Sequence, residues 1–137
     1  MKLEVSTENH LIYVEEIRNE MEDSAKKRGT GIAKRSSAYL SKKISEGNSI
    51  IAIDENGTWA GFCYIETWTN GEYVANSGLI VSPQFRNAGL ATHIKERIFQ
   101  LSRDKYPNAK IFGLTTGMAV MKINSNLGYK PVIYSEL

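Results

Sequence analysis

The residues best suited to chemistry lie in one segment, from Leu79 to Ala91, where a strand pattern gives way to a helix pattern. Pro83 blocks further strand pairing, and Gly89 lets a ligand approach the backbone closely. The first amides of the following helix have no partner inside the helix, so together with its dipole they form an anion site suited to a pyrophosphate. Arg86 would add a charge-assisted hydrogen bond and Thr92 a hydroxyl donor. The segment also fits a strand-to-helix turn that binds nothing.

A second segment is strongly basic. From Ser24 to Ser45 there are seven basic residues and no acidic one. Its loop, Arg28–Arg35, mixes Gly and Thr with charges, as binding loops do. Four of its side chains are suited to hold a carboxylate: Arg28, Thr30, Lys34 and Arg35. The alternative is a solvated loop that balances the acidic residues before it.

Two helices are predicted on either side of this loop. The first follows a short N-terminal strand and is capped by Ser6 or Thr7. Its apolar residues recur at helical spacing: Leu11, Val14, Ile17, Met21 and Ala25. The second begins after Ser36, continues to about Ser45 and is ended by Gly47.

Three antiparallel strands are predicted in the middle of the chain. Apolar, β-branched and aromatic residues define Ser49–Asp54, Thr58–Trp68 and Tyr73–Val81. The pairs Asn56-Gly57 and Asn70-Gly71 between them are hairpin turn signals.

The C-terminal part predicts a helix after Gly89, a strand at Lys110–Thr115, a helix at Gly117–Leu127 and a last strand at Tyr129–Tyr134. The order β-α-α-β-β-β-α-β-α-β indicates an α+β fold, in which helices flank a mixed sheet with an antiparallel centre.

Length and composition limit the class of protein. The 137 residues are enough for a single domain, 1–137, and 42% hydrophobic with 23% charged residues is typical of a globular protein. No apolar run would span a membrane and no signal peptide is visible, so a cytoplasmic protein is predicted. A net charge of +2 argues against a nucleic-acid partner. With Cys63 as the only cysteine, no metal site is predicted.

Four features resemble the GNAT superfamily of N-acetyltransferases. The segment Arg86–Ala91 fits its acyl-CoA loop, usually written Q/R-x-x-G-x-G/A, and Leu79–Pro83 fits the strand before that loop. Gly128-Tyr129 fits the Gly-aromatic pair after the family's last helix. The order of elements is similar over nearly the whole chain.

The resemblance implies acetyl-CoA as cosubstrate, with its pantetheine arm between two splayed strands, Tyr73–Val81 and Lys110–Thr115. The arm would pair with the main chain of Leu79 and Val81, and the Val81 amide would donate to the thioester carbonyl. The pyrophosphate would lie on the amides of residues 87–92. The implied cofactor-binding residues are Leu79, Ile80, Val81, Arg86, Asn87, Ala88, Gly89, Leu90, Ala91 and Thr92.

The general acid of many family members has no counterpart here. Asn124 stands where they place a tyrosine that protonates the leaving thiolate, and Gly117 stands where an asparagine is frequent. Asn124 can hydrogen-bond the sulfur but cannot act as an acid. Water, Tyr129 and Tyr134 remain alternatives.

A general base is needed, because an acceptor ammonium must lose a proton before it attacks. The residue that serves as this base is also left open. Glu66, Glu72 and, through an ordered water, Asn76 lie on or beside the central strands. Glu66 is the preferred candidate because its strand is otherwise apolar.

The chemical class of the acceptor is inferred from the basic loop. If Arg28–Arg35 binds a carboxylate, the acceptor is a small anionic amine, and the pattern resembles bacterial members similar to N-acetylglutamate synthase. The function predicted is acetyl transfer to an amino acid such as glutamate by direct attack. A CoA-binding sensor or interaction module without turnover, and a protein lysine or N-terminal acetyltransferase, remain alternatives.

The C-terminus is short for this family, which commonly adds one more strand. Three explanations are open: the sheet ends early, a partner subunit in a homodimer supplies the strand, or the chain is a fragment of a longer protein.

Overall fold

The computed structural model describes residues 1–28, 36–86 and 88–113. In this part of the chain there are five strands and three α-helices, in the order β1 (Lys2–Val5), α1 (Val14–Arg28), α2 (Ser37–Ser45), β2 (Ser49–Ile53), β3 (Trp59–Trp68), β4 (Tyr73–Val81), α3 (Leu90–Lys105) and β5 (Lys110–Gly113). Two short 3₁₀ helices occupy Glu8–Tyr13 and Pro83–Phe85. The α+β prediction is confirmed. The helix and strand predicted after residue 116 lie outside the described residues.

The five strands form one sheet in the order β1-β2-β3-β4-β5. β1 to β4 pair antiparallel, whereas β5 pairs parallel to β4 because α3 crosses the sheet between them. Both predicted hairpin turns are present, with Gly57 and Gly71 at positive φ. None of the described helices is long and apolar enough to cross a membrane.

The first α-helix begins later than its apolar spacing predicts. Thr7 caps the 3₁₀ helix Glu8–Tyr13 instead, and its backbone N–H donates to Nδ1 of His10 at 2.9 Å. The α-helix starts only at Val14, and Leu11 is 37% exposed rather than part of the apolar stripe. The prediction for Leu11 was therefore wrong, because the reciprocal bonds between Thr7 and His10 favour a separate short helix.

Helices cover both faces of the sheet. On one face α1 and α2 pack against the sheet, and the buried cluster there is Val14, Ile17, Met21, Leu40, Ile44, Ile51, Trp59, Phe62, Tyr64 and Ile80. On the other face α3 packs against a second cluster that includes Cys63, Ile65, Val74, Val81, Leu90, Ile94 and Ile98. Burial on both sides explains why β3 is apolar without alternation.

A bulge interrupts β4. Phe62 pairs with Ile80 and Tyr64 with Ser77, so two β4 residues, Gly78 and Leu79, lie opposite one β3 residue. Gly78 has a φ of +68°, and a Cβ atom there would lie 2.2 Å from Cε1 of Tyr64. Only glycine fits this position, for both backbone and packing reasons.

Candidate active site

The last residues of β4 direct their backbone groups away from β3. The N–H of Ser82 donates to the Ala60 carbonyl at 2.8 Å, so Ser82 and Ala60 form a hydrogen-bonded pair. Hydrogen-bonded residues alternate along an antiparallel strand. The N–H and C=O groups of Val81 and Leu79 therefore point to the opposite side of β4, the side on which β5 lies.

β5 borders only the first half of β4 within the described residues. Their parallel pairing runs from Tyr73 with Lys110 to Asn76 with Gly113. Among residues up to 113, no strand lies beside β4 from position 77 to Val81 on that side. The predicted continuation of β5 to Thr115 lies outside the described residues.

The N-terminus of α3 presents uncapped amides. Gly89 is the N-cap, with a φ of +77°, and no side chain caps the helix. The first backbone bond joins the N–H of His93 to the Gly89 carbonyl at 3.4 Å. The amides of Leu90, Ala91 and Thr92 precede it, so they are the donors that an α-helix leaves without internal partners.

The space next to Gly89 is open. A Cβ atom at this position would meet no other atom within 4 Å. Ala88 is exposed beside it, while the side chain of Leu90 is buried in the core, so Leu90 offers only its backbone. These residues form a small-residue surface with outward amides, as binding of a pyrophosphate requires.

Arg86 bonds to the end of β4 and to α1. Its Nε donates to the Val81 carbonyl at 3.0 Å, and its Nη2 donates to Oε1 of Glu20 at 2.7 Å and to Oγ of Ser24 at 3.2 Å. Glu20 and Ser24 were not predicted as site residues, since no local pattern marks a contact between residues so far apart in the chain.

Glu66 lies far from Val81. It faces the α1 and α2 side of the sheet, and its Oε2 is 3.8 Å from the Nζ of Lys43. Its cross-strand partner is Ala75, six positions before Val81, which is about 20 Å along an extended strand. Glu66, predicted as the base for the acceptor amine, and the Val81 amide, predicted to hold the thioester carbonyl, therefore lie at different positions along the sheet.

Lys43 is partly buried beside Glu66. Its Nζ donates to the Ile65 carbonyl at 2.7 Å. Burial lowers the pKa of Lys43; Glu46 opposes this effect and Lys42 adds to it.

Asn76, the third base candidate, faces the opposite side of the sheet. It is fully buried, and its Nδ2 donates to Oγ of Ser102 on α3 at 2.7 Å. This position joins the sheet to α3 and does not line the α1 and α2 side, where Glu66 lies.

Lys95 is a buried basic residue that no sequence pattern indicates. It is 1% exposed and lies about two turns before Ser102 on the same side of α3. Burial lowers the pKa of Lys95, and the neighbouring Cys63 partly opposes that effect.

Several predicted site residues lie outside the described residues: Thr30, Lys34, Arg35, Asn87 and Asn124. Arg28 is the last residue of α1. The basic loop thus leaves α1 about one turn after Ser24, which contacts Arg86.

Comparison with known proteins adds a family and a fold. A family model described as the acetyltransferase (GNAT) family matches residues 14–122. No curated protein matches the sequence.

Solved structures share the fold at low sequence identity. N-acetylglutamate synthase from Neisseria gonorrhoeae, complexed with coenzyme A and N-acetyl-glutamate, has a TM-score of 0.75 and 18% identity, over 99% of this chain and 30% of that one. An acetyltransferase of the GNAT family from Staphylococcus aureus Mu50 has a TM-score of 0.74 and 16% identity, over 99% and 88%. A GNAT superfamily phosphinothricin acetyltransferase from Sinorhizobium meliloti, in complex with AcCoA, has a TM-score of 0.71 and 17% identity, over 93% and 73%. This chain thus spans less than a third of the Neisseria enzyme.

Proposed function

The chain belongs to the GNAT acetyltransferase family, and we propose that it transfers the acetyl group of acetyl-CoA to the amine of a small anionic acceptor, an amino acid such as glutamate. The observation that carries this proposal is the open N-terminus of α3 directly after β4. Gly89 leaves room for a ligand, and the amides of Leu90 to Thr92 supply donors for a pyrophosphate.

The backbone of β4 supports a place for the pantetheine arm. The arm carries amide groups, and the N–H and C=O groups of Leu79 and Val81 point to the side on which it would lie. A thioester carbonyl oxygen accepts hydrogen bonds, so the Val81 N–H is the group of this peptide that can hold it. The Val81 carbonyl accepts from Arg86 instead.

Acetyl-CoA would supply an acetyl group activated as a thioester. In direct transfer the amine nitrogen forms a bond to the acetyl carbon, the carbon–sulfur bond breaks, the amine loses a proton and the sulfur accepts one. Much of the rate would come from holding the amine and thioester in line. Since Glu66 is remote from Val81, we propose that it acts on the amine only through intervening water or not at all.

The basic loop supports an anionic acceptor. Arg28, Thr30, Lys34 and Arg35 combine cations and a hydroxyl group, which suit a carboxylate. The fold similarity to N-acetylglutamate synthase is consistent with an amino-acid acceptor.

The test is the release of free thiol from acetyl-CoA with a panel of acidic, neutral and basic amino acids. We expect turnover with acidic amino acids. Tight acetyl-CoA binding without thiol release for any acceptor would show a CoA-binding module instead, and turnover with peptides alone would show a protein acetyltransferase.

A further inference from the structure

Arg86 connects the acyl-CoA loop to α1 through a closed set of hydrogen bonds. Its Nη2 donates to both Glu20 and Ser24, and Oγ of Ser24 in turn donates to Oε1 of Glu20 at 3.3 Å. Each of the three side chains contacts the other two. A closed triangle holds a side chain in one orientation better than a single ion pair does.

The acidic end of this triangle is mostly shielded from water. The Glu20 side chain is 16% exposed and that of Arg86 is 39% exposed, while Ser24 is a buried residue. Exposed ion pairs contribute little, but shielding and additional hydrogen bonds strengthen a charge pair. The short distance of 2.7 Å between Nη2 and Oε1 fits a charge-assisted bond.

The guanidinium group also holds the peptide group of Val81. Its Nε bonds to the Val81 carbonyl, while Nη2 bonds to α1, so one planar group fixes the end of β4 relative to a helix on one face of the sheet. The Val81 N–H is oriented by the same strand, and it is the group assigned to the thioester carbonyl.

We propose that Glu20 and Ser24 are positioning residues of the acyl-CoA site, which act through Arg86 to hold the segment between β4 and α3 in its binding geometry. This inference rests on the proposed function as far as the ligand is concerned. In this arrangement the Arg86 side chain stabilises the segment between β4 and α3, and backbone amides bind the pyrophosphate.

The alternative is that Arg86 is a phosphate ligand which Glu20 restrains in the absence of CoA. The two roles predict effects of opposite sign. If Arg86 stabilises the segment between β4 and α3, the loss of the Glu20 charge weakens CoA binding because that segment becomes less ordered. If Arg86 is a restrained ligand, the same loss frees its charge and CoA binds more tightly.

The experiment compares Glu20→Gln, Ser24→Ala and Arg86→Lys with a matched control, Glu16→Gln, at an exposed position of the same helix. Isothermal titration gives the Kd for CoA. Hydrogen exchange without ligand follows the hydrogen-bonded amides of Ser82 and His93, which flank the segment.

We expect Glu20→Gln and Arg86→Lys each to raise the Kd about five- to tenfold and to accelerate exchange at both amides, with a smaller effect of Ser24→Ala and none of the control. The double variant Glu20→Gln/Arg86→Lys should bind no more weakly than either single one. Unchanged exchange in Glu20→Gln, or tighter CoA binding by it, would overturn the inference. Faster exchange in the two variants, together with a wild type that binds no CoA, would instead refute the proposed function and support the structural role of Glu20 and Ser24.

Discussion

Gly89 and Gly57 share a backbone conformation but occupy different surroundings. Their φ angles are +77° and +81°, and a Cβ atom at either position would meet nothing within 4 Å. Gly89 begins α3 at the proposed pyrophosphate site, whereas Gly57 lies in the β2–β3 hairpin. Substitution at Gly57 therefore measures the backbone cost of a side chain without the ligand.

We expect Gly89→Ala and Gly57→Ala each to lose about 1 kcal/mol of stability, since alanine is strained at positive φ. Only Gly89→Ala should weaken CoA binding, by about tenfold or more, because its methyl group occupies the space of the ligand. Urea unfolding and isothermal titration measure the two effects. Equal CoA affinities of the two variants would place the pyrophosphate elsewhere.

Gly78 combines the same backbone conformation with close packing. Gly78→Ala should destabilise the protein by about 3 kcal/mol, since the methyl group would overlap the Tyr64 ring in addition to the strain of positive φ. Denaturant unfolding measures the loss. A cost no larger than that of Gly57→Ala would mean that the bulge readily rearranges.

Arg28→Ala tests the acceptor loop. We expect the KM for acidic amino acids to rise about tenfold, with little change for a neutral amino acid, because a carboxylate loses a charged partner. Steady-state thiol release measures both constants. An equal change for both acceptors would assign Arg28 a role other than carboxylate recognition.

Sequence patterns predicted features that depend on local chain geometry. The position of Gly89 between a strand and a helix is one of them. Glu66 was favoured by its apolar neighbours, but strand register decides its distance from Val81, and register depends on the bulge at Gly78. Glu20 was not identified because its partner is brought near only by the folded chain.

The individual elements were predicted where periodicity and turn signals agree. β4 has the predicted bounds, Tyr73–Val81, because a hairpin turn precedes it and a proline follows it. The start of α1 was not predicted, since Thr7 and His10 form a local capping arrangement that apolar spacing does not reveal. The buried position of Lys95 depends on how α3 lies across the sheet.

The helix α3 provides a test of pH dependence through Lys95. Its pKa is lowered from 10.5 by burial, so between the lowered value and 10.5 the unfolded chain binds more protons than the folded protein. The free energy of unfolding should therefore rise with pH through that window. Lys95→Met should reduce this rise, and urea unfolding at several pH values would show it.

The pKa of Lys43 is also lowered from 10.5, so Lys43 contributes to the same rise in the free energy of unfolding with pH. The difference between wild type and Lys95→Met isolates the contribution of Lys95. Lys26→Met, at an exposed position of α1, is the control. Identical pH profiles for wild type and Lys95→Met would show that Lys95 has the same proton affinity in both states.

At the scale of the whole molecule, the fold brings the end of β4, the N-terminus of α3 and the last turns of α1 together. The family and fold follow from the sequence because motif, strand and element order agree over most of the chain. The identity of the acceptor does not follow from the sequence, since one fold serves many acceptors.

Binding of CoA should stabilise the whole domain. At a concentration of about 100 times the Kd, acetyl-CoA would add about 2.7 kcal/mol and raise the Tm by about 10 °C. Thermal unfolding with and without ligand measures this shift, and adenosine alone serves as a control for non-specific effects. No shift at saturating ligand would contradict the proposed site.

The parallel pairing of β5 with β4 also affects the order in which the protein folds. The hairpins of β2, β3 and β4 join neighbouring segments and can form early, whereas β5 pairs only after α3 has crossed the sheet. The acyl-CoA side of β4 would then be completed after the hairpins have formed. Pulse-labelled hydrogen exchange during refolding should show β3 amides protected before those of β5.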